Sequence, residues 1–112
     1  MDWIDEFISL DVGKTVYGGR RFPRLMYIWG HSFEFDNNDN WDYMESLTDK
    51  LSGRDDIWYA TNIEIYDYVN AYLSLGVSAD RSKIYNPTLH TVWLDIGAKS
   101  YSIKPGELLR LR

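Results

Sequence analysis

The chain has no cysteine. Disulfide frameworks, cysteine-ligated zinc and thiol nucleophiles are excluded at once, and cysteine usage carries no information on redox compartment. Proline is scarce, at 3 of 112 residues, so there is no Pro-rich linker. No run of about 18 apolar residues occurs, which excludes an ordinary membrane-spanning helix. Positive charge is in the minority, with 12 Lys and Arg against 17 Asp and Glu and a net charge of −5. No segment is rich in Lys or Arg, so a nucleic-acid footprint, which needs a cationic face, is not expected. The start Met-Asp-Trp-Ile-Asp-Glu is acidic and lacks the basic and then apolar pattern of a secretory signal. As written, the sequence leads one to expect a cytoplasmic protein.

What is abundant is aromatic. Phe, Trp and Tyr make up 16% of the chain, with 5 Trp and 9 Tyr. Buried Tyr and Trp need polar partners, and exposed ones line carbohydrate or protein interfaces. Hydrophobic residues at 45% and charged residues at 26% are those of a globular domain, and 112 residues suffice for one core.

Periodicity gives an alternation of element types. Trp3, Ile4, Phe7, Ile8 and Leu10 fall at helical spacing over residues 2–10. Residues 11–23, with Gly13, Gly18, Gly19 and Arg20-Arg21, have loop composition. Residues 25–29 form an unalternating apolar strand of the kind buried on both faces of a parallel sheet. The polar link Asp36-Asn-Asn-Asp39 leads to a helix over residues 40–51, with Trp41, Met44, Leu47 and Leu51 as its stripe and Gly53 after its end. Residues 57–60 make a second strand. Thr61 and Glu64 match a capping box opening a third helix, with Ile65, Val69, Tyr72 and Leu73 on one face and Gly76 at its end. From Ser82 onward, short strands and Gly/Pro turns predict an antiparallel meander. The expected fold is α/β: a β-α-β-α unit over residues 1–81 and an antiparallel β extension over residues 82–112 packed on it as one compact domain. Two parallel strands cannot cover their own edges, so either the extension or another chain must do so.

The candidate site lies at the end of the first strand. An apolar strand that delivers His31 from its C-terminal end is how α/β proteins present catalytic groups, and histidine titrates near neutral pH. Its functional role is a general acid, and its structural role a ring that bonds a neighbouring carboxylate and shapes a loop. Glu34 and Asp36 follow closely, but His-x-x-Glu-x-Asp is not an established metal-ligand spacing. Trp29, Trp58 and Tyr59 have rings that can stack on a sugar or fill a core. His90, after Pro87-Thr-Leu, belongs to a turn. Asp55-Asp56 is a solvated turn, and Glu64 has its explanation as the partner of Thr61.

Tyr27-Ile-Trp-Gly-His-Ser-Phe-Glu-Phe-Asp36, Asn40-Trp41, Gly53-Arg-Asp-Asp-Ile-Trp-Tyr-Ala-Thr-Asn-Ile-Glu-Ile65, and the closing Asn86-Pro87, Val92-Trp93 and Pro105-Gly106 share one order of blocks. Together they resemble the C-terminal portion of bacterial polysaccharide deacetylases, the carbohydrate esterase family 4 that includes the nodulation-type chitooligosaccharide deacetylases. The resemblance covers nearly all of the chain from Arg24 onward. It implies a distorted (β/α) barrel, of which this chain would hold part, and metal-dependent removal of acetyl groups from N-acetylated sugars. It also gives His31 the place of the family's general acid, with Trp29, Glu34 and Trp58 as substrate-binding candidates.

The family's ligand motifs, an Asp-Asp pair and a His-x-x-x-His pair, have no counterpart here, since the two histidines lie in different segments. No metal ligand is therefore assigned, and zinc or another divalent metal is expected only in the complete family domain. The expected function is that of a C-terminal deacetylase portion, a hydrolase fragment inactive by itself. The alternative is a non-catalytic carbohydrate-binding or protein-interaction module derived from that fold. The implied partners are an acetylated oligo- or polysaccharide and either a second copy or a chain supplying the missing barrel part.

Overall fold

The computed structural model describes residues 2–10, 16–17, 20–21, 23–97 and 99–111. They form a mixed α/β chain of four helices and seven short strands. Among the described residues, no helix is long and apolar enough to cross a membrane. The chain divides into two units, Met1–Ile57 and Trp58–Arg112.

The first unit is mainly helical. Helix α1 (Asp2–Ser9) is followed by the strands β1 (Val16–Tyr17) and β2 (Arg20–Arg21), then α2 (Ser32–Asn38) and α3 (Trp41–Leu51). Ile4 of α1 is fully buried and Leu47 of α3 nearly so, as their apolar stripes predict. Lys50 Nζ donates to Asp5 Oδ1 at 2.8 Å, and Arg54 Nη2 reaches the Ile8 carbonyl at 3.4 Å, so α1 is tied to α3 and to the turn after it. That turn contains Gly53 at φ 66°, the left-handed conformation expected where a helix stops.

Three expectations for this unit are corrected. Residues 25–29 belong to no helix or strand, because strand composition supplies side chains but not the neighbouring strand that a ladder needs. Within residues 11–23, expected as a loop, Val16–Tyr17 pair antiparallel with Arg20–Arg21; the remaining positions before Pro23 lie outside the described residues. The polar link is largely helical: α2 ends at Asp39, whose φ of 48° and N–H bonds to the Phe35 and Asp36 carbonyls close it. Aspartate tolerates this left-handed cap better than most residues, which hides the helix end among apparent loop residues.

The second unit starts outside helix and strand. Residues 57–60 were expected as a strand and are not one, for the same want of a ladder partner. Helix α4 (Asn62–Leu73) follows, opened by the expected capping box. The Thr61 N–H donates to Glu64 Oε2 at 2.6 Å, and the Glu64 N–H donates to Thr61 Oγ1 at 3.3 Å. Two antiparallel sheets complete the unit. The first has the order β3 (Gly76–Val77), β4 (Lys83–Tyr85), β7 (Leu108–Arg110); the second is the hairpin β5 (Val92–Ile96) and β6 (Lys99–Ile103).

The antiparallel character of the tail is as expected, but its order is not a meander, since β7 returns to pair with β4 outside the β5–β6 hairpin. All described strand pairs are antiparallel, so the parallel pair expected upstream is not among them. Gly76 opens β3 instead of ending α4. The buried face of α4 also differs: Ala71 is buried, whereas Val69, Tyr72 and Leu73 are exposed. The helix carries apolar residues almost all round, so periodicity alone cannot select a face.

Ile84, Val92 and Ile103 are the buried strand residues of this unit, and Asn86 is fully buried beside them. Asn86 Nδ2 donates to the carbonyls of His90 (2.7 Å) and Ile103 (2.9 Å). Its Oδ1 accepts from the Thr88 N–H (2.9 Å) and hydroxyl (2.7 Å). Every polar valence of the amide is used, which is what allows it inside.

Candidate functional site

His31 is the N-cap of α2, with extended φ and ψ of −122° and 141°. The chain arrives from Pro23 without regular structure and turns into the helix at Ser32. Three residues on, the Glu34 N–H donates to the His31 carbonyl at 3.0 Å, closing the first turn. Residues three apart on a helix face each other, so this turn brings Glu34 Oε1 to 3.0 Å from His31 Nδ1. Thr61 and Glu64 have the same spacing, but there the carboxylate bonds the cap backbone. At His31 it holds the imidazole instead.

A carboxylate oxygen only accepts, so the contact has Nδ1–H as donor and leaves Nε2 as the outward nitrogen. The ring is also held from its sides. Phe33 stacks on it at 5.0 Å and 21° between planes, and Trp29 stands edge-on at 6.1 Å and 81°. His31 and Glu34 are about half exposed, and Trp29 is 76% exposed. The site is therefore an open surface cluster. A groove of this unit, lined by Trp3, Phe7, Leu10, Leu25 and Met26 together with Glu6 and Arg24, does not include it.

Asp36 does not join this cluster as a free ligand. Its Oδ1 accepts the indole N–H of Trp41 at 2.7 Å, and Trp41 packs on Phe35 at 5.2 Å. Among the described residues no three His, Cys, Asp or Glu side chains group as a metal site would require. The resemblance implies a metal held by one Asp and two His. The donors around His31 do not fit that set, and His90 lies in the other unit.

The structure brings together Trp29, His31 and Glu34. Trp58 belongs to the second unit, where its ring stands edge-on to Tyr68 at 5.6 Å. His90 is exposed, its backbone N–H donating to Thr88 Oγ1 at 3.2 Å. Asp56 is gripped by Arg54 through two bonds of 3.0 Å, and the Arg54 side-chain bond holds its carboxyl below the usual value. Glu64 is likewise held below the usual value, first by the Thr61 N–H and then by its hydroxyl. Both carboxylates are thus structural.

Sequence reasoning missed Phe33 as the ring stacked on His31. The signal was its position two residues on, at a helix start, and it was obscured because α2 itself was not anticipated.

No family model, curated protein or solved structure matches this chain.

Proposed function

We propose that this chain is the C-terminal portion of a polysaccharide deacetylase-like protein, part of a (β/α) barrel, with His31 as the proton donor of its site. The observation that supports the reading is the His31–Glu34 pair at 3.0 Å, flanked by Trp29 and Phe33. A general acid for amide hydrolysis needs an imidazole of fixed orientation with one nitrogen turned toward substrate. Glu34 occupies Nδ1, so Nε2 is the nitrogen available to the substrate.

In that role the imidazolium gives its Nε2 proton to the sugar nitrogen as the tetrahedral intermediate collapses. The C–N bond breaks, acetate leaves with the carbonyl carbon, and the free amine departs protonated. Trp29 offers an exposed ring for stacking beside the reacting amide, and Glu34 fixes the orientation of the His31 ring. The metal of such an enzyme would polarise the amide carbonyl and activate water. The described donors of this chain do not form its site, so the chain alone is inactive in this reading.

The exposed aromatic rings of both units favour a second reading, a sugar-binding module without turnover. Reading the genomic DNA upstream of the Met1 codon separates the two. An in-frame continuation with Asp-Asp and His-x-x-x-His motifs supports the deacetylase portion. A stop codon directly upstream, with oligosaccharide binding by the chain itself, overturns it in favour of the module.

A further inference from the structure

Ile4 of α1 is fully buried, but Trp3, Phe7 and Leu10 follow another line along that helix, at i, i+4 and i+7. The Leu10 N–H bonds the Phe7 carbonyl at 3.2 Å, which carries this line one residue past the end of α1. Together with Leu25 and Met26 these side chains line a groove of about 310 Å³ within the first unit. That volume is at the lower end of the range of small-molecule sites, about 300–1,000 Å³. Leu25 is 68% exposed, so the groove lies open to solvent.

Its lining also holds one charge of each sign, Glu6 and Arg24, both exposed. The ion pairs among the described residues are Lys50–Asp5, Arg54–Asp56 and, when the ring is protonated, His31–Glu34. Glu6 and Arg24 therefore pair neither with each other nor with another described residue. A recess of about 50 Å³ adjoins the groove, sharing Phe7, Leu10 and Arg24 with it and reaching Asp56 and Ile57. Arg54 already holds Asp56 through two bonds of 3.0 Å, so that carboxylate is neutralised. Glu6 and Arg24 are the charges that the lining leaves to a ligand.

We propose that this groove binds a free amino acid with an apolar side chain. Such a ligand carries an ammonium and a carboxylate on one carbon, with an apolar group beside them. The Arg24 guanidinium can take the carboxylate through two parallel N–H bonds, and the Glu6 carboxylate can accept from the ammonium. The apolar side chain then lies against Trp3, Phe7 and Leu25 and leaves water. A fatty acid would bring its single negative charge to a lining that also holds Glu6, and an alkylamine its positive charge to one that holds Arg24. A zwitterion answers both signs. Because both charges are exposed, each contact is modest and weakens with salt, and the expected affinity is that of a weak, reversible site. The inference goes beyond the role of His31, whose side chain is outside this groove.

Titration with L-phenylalanine, read from the Trp3 indole N–H and Met26 methyl signals, tests this against analogues that keep the ring. 3-Phenylpropanoate lacks the ammonium, phenethylamine lacks the carboxylate, and N-acetylphenylalanine amide lacks both charges. Phenylalanine should saturate these signals at about 1–10 mM and bind at least about threefold more tightly than each analogue. The Trp58 and Trp93 signals of the second unit should stay still. Glu6→Gln should bring phenylalanine down to the affinity of 3-phenylpropanoate without weakening the latter, and Arg24→Gln down to that of phenethylamine. Circular dichroism of each variant verifies that it is folded. His31→Ala should leave all of this unaltered, so this proposal and the reading of His31 fail separately. The proposal is overturned if phenylalanine moves neither signal up to about 30 mM. It is equally overturned if any analogue binds as tightly as phenylalanine, or if either glutamine variant leaves the affinity for phenylalanine unchanged.

Discussion

His31 Nδ1 stands 3.0 Å from Glu34 Oε1 across the first turn of α2. The consequence is a choice of tautomer: the carboxylate favours the imidazole form with its proton on Nδ1 and leaves Nε2 outward. Both side chains are about half exposed, so the pair adds little stability, roughly 0–1 kcal/mol. Glu34→Ala should therefore leave the unfolding midpoint almost unchanged. In the neutral ring it should shift the proton from Nδ1 toward Nε2, read from the imidazole ¹⁵N chemical shifts. An unchanged tautomer in the variant would mean that the pair does not govern the ring.

The capping box at Thr61 makes a pH prediction with a definite sign. Glu64 is held below its ordinary value by the Thr61 N–H, and Asp80 by the Ser82 and Ser78 hydroxyls, with a further bond from the Ser82 N–H. Groups depressed in the folded state stabilise it above their unfolded values, and that stability is lost as pH falls through the folded values. Urea unfolding should thus be flat from neutral to about pH 5 and weaken below about pH 4. Thr61→Ala should cost about 1 kcal/mol near neutral pH, and Glu64→Gln, which removes the titrating group, should make the acid limb shallower. An acid limb of unchanged steepness would contradict the assignment.

Asn86 is a sensitive position of the second unit, because its amide is fully buried and fully bonded. Asn86→Ala would strip the His90 and Ile103 carbonyls and the Thr88 N–H of a buried partner. The His90 carbonyl keeps the Thr88 hydroxyl as a donor at 3.2 Å, so the buried group that loses its Asn86 donor is the Ile103 carbonyl, and a loss of about 1–3 kcal/mol is expected in denaturant unfolding. A loss below about 1 kcal/mol would show that water replaces the amide freely.

Self-association is the expected behaviour of the isolated chain. Leu25 and Trp29 of the first unit and Leu73 and Leu89 of the second are each more than two thirds exposed, so both units hold large apolar side chains in solvent. Light scattering should give a mass above that of the 13.2 kDa monomer, rising with concentration. A sharp monomer mass at every concentration would contradict it.

Local signals were legible in the sequence and pairing signals were not. Thr61 and Glu64 form the predicted box, and Gly53 takes the predicted left-handed turn, because each depends on residues within one helical turn. The Pro105–Gly106 turn is equally local: the Glu107 N–H bonds the Lys104 carbonyl at 3.0 Å, with Gly106 at φ 74°. Residues 25–29 have strand composition, yet a strand exists only where a neighbour pairs with it. The return of β7 to β4 and the contact of Tyr68 with Trp93 both span long stretches of chain, and no spacing rule encodes them. At the site, the three-residue interval from His31 to Glu34 was visible, but its meaning required knowing that a helix starts at Ser32.

The most direct test of the proposed role of His31 is acetate release from N-acetylglucosamine oligomers with zinc, measured on the polypeptide with any in-frame sequence upstream of Met1 included. A general acid contributes about 10²- to 10⁴-fold, so His31→Ala should lower kcat by that factor while oligosaccharide binding persists. Turnover by the His31→Ala protein equal to that of the unaltered one would contradict the account.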